Sequence, residues 1–226
     1  MVMRITQDDQ SRIAQAIAAA EAATSGEIFC VVSRRVSSYG DVALAWSAAA
    51  ALILPALLIP FGFEGVWPFG GGWEAAHESG LTVGRALGGY VAVQAAVFAG
   101  VLLLSLIPTV RRWMTPGGLR RARVRRAALQ QFLAHGVHVT RERTGVLIFA
   151  ALDDHQVELI ADEGIHAQVD QGVWGDAVAA LTTEMKAGRP AQGFEIAIGQ
   201  CGQVLARHFP PRTDNPNELP DHLVIL

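Results

Sequence analysis

Apolar residues recur along the chain in three rhythms. Near the start they fall at helical spacing. Ile13, Ala16, Ile17 and Ala20 form one stripe behind Thr6-Gln7-Asp8-Asp9, a capping-box shape with Asp9 where Glu or Gln is usual. Ser25-Gly26 ends that helix, and Glu27 to Ser33 (EIFCVVS) is nearly all apolar, the pattern of a buried strand. Helical spacing returns from Leu119 to Gly136, with Val124, Ala128, Phe132 and Leu133 expected to face inward and the arginines outward. Gly145 to Leu152 (GVLIFAAL) predicts a second buried strand, Asp153-Asp154-His155 a turn, and Gln156 to Ala161 (QVELIA) a returning third strand. A helix follows near Asp176 to Ala187, then a break at Pro190 to Gly193 and a helix from about Phe194 to His208. The tail from Pro210 is proline-rich, and its last apolar residues, Leu223 to Leu226, are placed to dock or to add an edge strand.

The third rhythm is no alternation at all. Val42 to Phe61 contains no charged residue, and Ala86 to Val110 has only Gln94 as a strong polar interruption. About twenty apolar residues at 1.5 Å rise cross the hydrocarbon of a bilayer, so both segments are long enough to be transmembrane helices. A pair of buried core helices is the competing reading, but core helices normally keep a polar face, which these lack. Residues 62–85 form the connecting loop. Phe61, Phe63, Trp67, Phe69 and Trp73 resemble an interfacial belt, and Gly70-Gly71-Gly72 is a connector with no Lys or Ser/Thr of a phosphate loop. The division is therefore 1–41 for the first part of a soluble domain, 42–61 and 86–110 for the spans, 111–209 for the rest of that domain, and 210–226 for the tail. Arginines fix the orientation. Arg34 and Arg35 precede the first span, while Arg111, Arg112, Arg120, Arg121, Arg123, Arg125 and Arg126 follow the second. The loop carries only Arg85, so both termini are expected in the cytoplasm of a two-pass inner-membrane protein, with no signal peptide in residues 1–41.

Composition sharpens this picture. The chain of 226 residues is 51% hydrophobic and only 17% charged, which excludes disorder and places the excess in the two spans. Two cysteines cannot form a disulfide framework, and Cys30 and Cys201 both sit in apolar segments as small core residues. The net charge of −3 offers no basis for a nucleic-acid partner, yet it conceals segregation. Residues 111–143 hold nine arginines against Glu142, net +8; residues 144–226 hold twelve acidic against four basic residues, net −8. Basic residues just cytoplasmic of a span attract anionic lipid headgroups at about 1 kcal/mol each, so a lipid surface is the expected partner of the arginine set.

Strand, crossover and strand imply a parallel pair, with the spans and the arginine helix inside the crossover. Eight residues join Ser33 to Val42, a reach of at most about 28 Å, which ties the C-terminal end of the first strand to the bilayer. The other end gathers Ser25, Glu27, Thr144, Asp162 and Glu163. No Gly-x-Ser-x-Gly elbow, His-Glu-x-x-His or Walker loop is present, and no cysteine lies in a Cys-x5-Arg loop. His135 and His138 have a spacing that suits zinc but no third ligand close in sequence.

In order along the chain, TSGEIFCVV, GVLIFAALDDHQVELIADEGIHAQV and DQGVWGDAVAALTTEMKAGRPAQGFEIAIGQCGQVLARHFPP resemble the TPM-domain family over about residues 5–35 and 120–222. The closing NELPDHLV and the inserted hairpin look like a bacterial membrane-protein branch of that family. The resemblance implies a three-layer α/β/α sandwich on a short mixed sheet, here interrupted by a two-helix transmembrane hairpin. It also implies divalent-cation binding and an acid-phosphatase activity. The positions matching the family's acidic loops are Asp153, Asp154, Asp162, Glu163 and Asp170, which would take Ca²⁺ or Mg²⁺ through hard oxygen ligands. Local hydrogen bonding explains the same residues as a hairpin turn and a helix start. No catalytic residue is assigned. Two functions are expected to compete: a binding or accessory module in membrane-protein assembly, turnover or envelope maintenance, with a membrane-protein partner, and a metal-assisted phosphomonoesterase.

Overall fold

A computed structural model describes residues 5–58 and 83–226. The chain divides into two compact units, one built from the segments up to Ser37 and from Gly118 onward, the other from Ser38–Gly117, which holds the apolar hairpin.

The first unit contains α1 (Gln7–Glu21), β1 (Glu27–Ser33), α5 (Gly117–Ala134), β2 (Gly145–Ala151), β3 (Gln156–Ala161), a one-turn α6 (Glu163–His166), α7 (Gly175–Lys186), α8 (Pro190–His208) and β4 (Leu223–Ile225). The sheet order is β3-β2-β1-β4. β1 pairs in parallel with β2, Glu27 opposite Gly145, and with β4, while β2 and β3 form an antiparallel hairpin. Every residue of β1 and β2 is buried because both faces are covered. Ile28, Cys30, Val32, Val146 and Ile148 point into a core shared with α1, α7 and α8. Phe29, Val31, Leu147 and Phe149 point the other way, onto Val124, Ala128 and Phe132 of α5. This is the α/β/α sandwich on a mixed sheet, and the Leu223–Leu226 segment does supply its edge strand.

Local signals explain the boundaries. Thr6 Oγ1 accepts from Asp9 N at 3.1 Å while Thr6 N donates to Asp9 Oδ2 at 2.9 Å, so Asp completes the capping box. The expected break at Pro190–Gly193 is absent. Pro190 instead opens α8, since its missing N–H and fixed φ suit the first turn, and Gly193 lets α8 close on Leu181 of α7. Leu133, expected inside, is 58% exposed; three residues at four-residue spacing (124, 128, 132) already fill the inner stripe of α5.

The second unit holds α2 (Gly40–Leu58), α3 (Val83–Ser105) and α4 (Pro108–Met114). The expected 86–110 segment is therefore divided. Pro108 disfavours helix at Ile107, whose backbone is extended, and the chain restarts as a separate short helix. α2 and α3 pack side by side, and Trp46 Nε1 donates to the Met114 carbonyl at 3.0 Å. Small residues four apart on α2 (Ala43, Ser47 and Ala51) are buried, whereas Leu44, Leu52, Ile53 and Leu57 are 51–64% exposed. Small inside and large apolar outside inverts the arrangement of a water-soluble helix pair and matches helix packing in lipid. Two 18-residue stretches, Gly40–Leu57 and Gly88–Ser105, are long and apolar enough to cross a membrane, with 28% and 11% of each buried. The expected aromatic belt and the glycine connector lie outside the described residues.

Candidate functional site

The β2–β3 hairpin decides where the acidic candidates go. Asp153-Asp154-His155 is its turn, held when Leu152 N donates to Ser33 O and Asp153 N to Arg34 O. His155 takes φ 48°, the left-handed geometry a tight turn requires. Asp153 meets the Arg35 guanidinium at 3.5 Å, and Asp154 is buried. Because β3 runs back along β2, Asp162 and Glu163 arise at the opposite end of the ladder, one strand length away, roughly 20 Å for six or seven residues. There Asp162 N donates to Gly145 O, and Asp162 Oδ1 caps α6 by accepting from Glu163 N at 2.7 Å. Glu163 pairs with Arg143. Asp170 Oδ1 accepts from Gly172 N at 2.7 Å, capping the next 3-10 turn. The five carboxylates thus do not form one ligand set, and among the described residues no three His, Cys, Asp or Glu side chains gather as a metal site. Asp162 Oδ2 is among the buried side-chain atoms without a hydrogen-bond partner among the described residues.

Of the expected pole of Ser25, Glu27, Thr144, Asp162 and Glu163, the first three are linked directly, and Asp162 N reaches the neighbouring Gly145 O. Thr144 Oγ1 donates to Ser25 O, and Glu27 N donates to Thr144 O. Glu27 turns away from Asp162, however. Its Oε2 accepts from Leu219 N at 3.1 Å, so a buried carboxylate clasps the C-terminal tail. Burial raises its pKa against the opposing pull of the tail amides. Glu21, at the end of α1, accepts from Ile28 N at 2.7 Å and hydrogen-bonds Asp221. Burial, with Glu27 and Asp221 adding negative charge, pushes its pKa up to about 8, so it is mostly protonated at neutral pH. Beside this clasp a narrow polar cleft of about 10 Å³, room for about one water, lies between Thr140–Glu142 and the tail residues Arg212 to Glu218. Arg141 N donates to Glu218 Oε2 at 2.7 Å, and Arg212 pairs with Glu142. No spacing rule in the sequence joined Glu21, Glu27 and the tail; the only hint was two acids flanking the first strand's entry.

Residues 114–204 match the family model of the TPM domain. Over that stretch the chain is similar to the TPM domain. The match begins before α5 and ends within α8, and the structure adds α1, β1 and β4 to the same compact unit. The fold is also similar to the NMR structure of BA42 protein from the psychrophilic bacterium Bizionia argentinensis, at 19% sequence identity and TM-score 0.57, covering 98% of this chain and 95% of that one. No curated protein matches the sequence. Within the α/β unit both cysteines are fully buried, and burial pushes the Cys201 thiol up to about 12 and Cys30 well above its usual value, which disfavours the reactive thiolate at both. His135 stacks near Phe29 with ring centroids 4.8 Å apart, and His138 lies 6.1 Å from the Phe132 ring, aromatic packing in place of a zinc pair. The arginines divide. Arg123 donates to Ser37 Oγ at 2.6 Å and Arg125 lies 3.6 Å from Glu158, while Arg121 and Arg126 are exposed on α5. Arg111 and Arg112 belong to α4 in the other unit.

Proposed function

We propose that the chain is a two-pass inner-membrane protein whose cytoplasmic TPM domain works as a binding or accessory module in membrane-protein assembly, turnover or envelope maintenance. One observation carries this reading: the apolar hairpin enters the sequence between β1 and β2, the two central hydrogen-bonded strands, so the domain is tied covalently to it on both sides. Anionic headgroups are the partner proposed for Arg111, Arg112, Arg120, Arg121, Arg123, Arg125 and Arg126. A membrane protein is the proposed client.

The competing reading, a phosphomonoesterase assisted by Mg²⁺ or Ca²⁺, is favoured by the buried, unpartnered Asp162 Oδ2. The spread of the other carboxylates over two ends of a hairpin, each committed to a turn, an ion pair or a cap, favours the binding module. The purified full-length protein in nanodiscs is assayed with a chromogenic phosphomonoester, with and without each cation. The binding reading expects no turnover above a protein-free control. Cation-dependent turnover that disappears in Asp162→Asn or Asp153→Asn would replace it with the enzyme. Release of the chain from membranes by alkaline carbonate would overturn the anchored reading.

A further inference from the structure

α5 has two apolar faces. The inner one, Val124, Ala128 and Phe132, is consumed by the sheet. On the outer side Leu129 and Leu133, four residues apart, are 41% and 58% exposed. Exposed Arg126 lies three residues before Leu129 and exposed Arg125 four before it, so the leucine ridge is bordered by guanidinium groups on the same side of the helix. Arg121, a further turn back, is exposed as well. Arg125 lies 3.6 Å from Glu158, whose side chain is 14% exposed, while the Arg125 side chain itself is 64% exposed.

We infer that this outer face of α5 is an in-plane docking surface for an anionic lipid bilayer, with Leu129 and Leu133 entering the headgroup–acyl boundary and Arg121, Arg125 and Arg126 meeting phosphates. The inference rests on the anchored reading and deepens it. Three observations select lipid as the occupant. An apolar ridge edged with arginine is the composition of an interfacial helix. The segment 111–143 carries net +8, complementary to an anionic surface. α5 also begins only twelve residues after Ser105, the end of an apolar helix, and the intervening α4 bears Arg111, Arg112 and an 88% exposed Trp113, itself an interfacial set. Arginines scattered on a solvated helix would not require two exposed leucines continuing the ridge beyond them.

The test uses the full chain reconstituted in vesicles of phosphatidylcholine alone or with phosphatidylglycerol, labelled with an environment-sensitive fluorophore at Leu133→Cys. Cys30 and Cys201, both fully buried, do not compete for label. Lys186→Cys on α7, in the opposite layer of the sandwich, is the control. The expected result is a blue shift and quenching by nitroxide-bearing lipid at position 133 in anionic vesicles, reversed by high salt and absent at 186. Arg126→Glu is expected to weaken docking at least about fivefold, the equivalent of about 1 kcal/mol per basic residue. A water-exposed probe at 133 in anionic vesicles that still co-float with the protein overturns the docking face and leaves the anchor standing. Failure to co-float overturns the anchor itself. Quenching that ignores lipid charge, or a blue shift that vanishes as protein is diluted per vesicle, assigns the ridge to a second copy and also overturns the inference.

Discussion

Glu27 and Glu21 show how single residues set the pH response. Glu21 has a carboxyl with an ordinary value of 4.5 raised to about 8 in the folded chain. Folding therefore takes up a proton between those values. The stability this group contributes is complete below about pH 4.5 and is lost progressively as pH rises to about 8. Glu21→Gln is expected to remove that slope, so unfolding of the full chain in detergent should occur at higher denaturant than wild type at pH 8.5 and at nearly the same denaturant at pH 4.5. A wild-type midpoint that rises between pH 5 and 8 more steeply than that of the variant would contradict it. Glu27→Ala is expected to cost about 1–3 kcal/mol, since Leu219 N is left buried without its acceptor. Gly145 gives a steric counterpart. A Cβ there would fall inside the Val137 carbonyl, so Gly145→Ala should lower stability by about 1–3 kcal/mol or more, read from the same denaturation curves. None of these residues stood out by type. The roles of Glu21 and Glu27 come from a tail more than 190 positions away along the chain, which local spacing does not encode.

At the scale of elements, much of the fold was legible because burial and period agree. β1 and β3 match their expected limits, and β2 ends one residue earlier than expected. The capping box, the parallel pair and the edge strand were legible for the same reason. Two errors have the same root. Pro190, expected to break a helix, starts one, and Pro108, which the 86–110 span would tolerate as a membrane helix does, divides that segment. Proline's effect depends on which side of it the helix lies, and composition alone does not say. The candidate site was less legible. The sequence named the acidic loops but could not show that an antiparallel hairpin carries them to opposite ends. β4 invites a direct test. Removing residues 221–226 exposes the β1 edge at Cys30–Val32, and amides there should exchange with solvent markedly faster by hydrogen-exchange mass spectrometry. Unchanged protection would mean that three residues of pairing contribute little to closing the sheet.

For the molecule as a whole, the arrangement across the membrane is checked by labelling. A cysteine introduced at Gly71 is expected to react with an impermeant maleimide added outside intact cells, and one at Lys186 only after permeabilisation. The reverse pattern would invert the topology. Cys201 cannot report the inner side, because a fully buried thiol stays silent on either side.

The nesting of the hairpin inside the sheet also has a consequence in time. β1 leaves the ribosome about 110 residues before Gly145 and about 190 before Leu223. At roughly 5–20 residues per second, its first partner follows about 6–22 s later and its second about 10–38 s later. Throughout that interval EIFCVVS is an apolar strand with both edges unsatisfied, while the apolar hairpin proposed to span the membrane emerges just behind it. The sheet can therefore close only after residues 145–151 and 223–225 have been made, so the nascent strand has to be kept from pairing elsewhere during that wait.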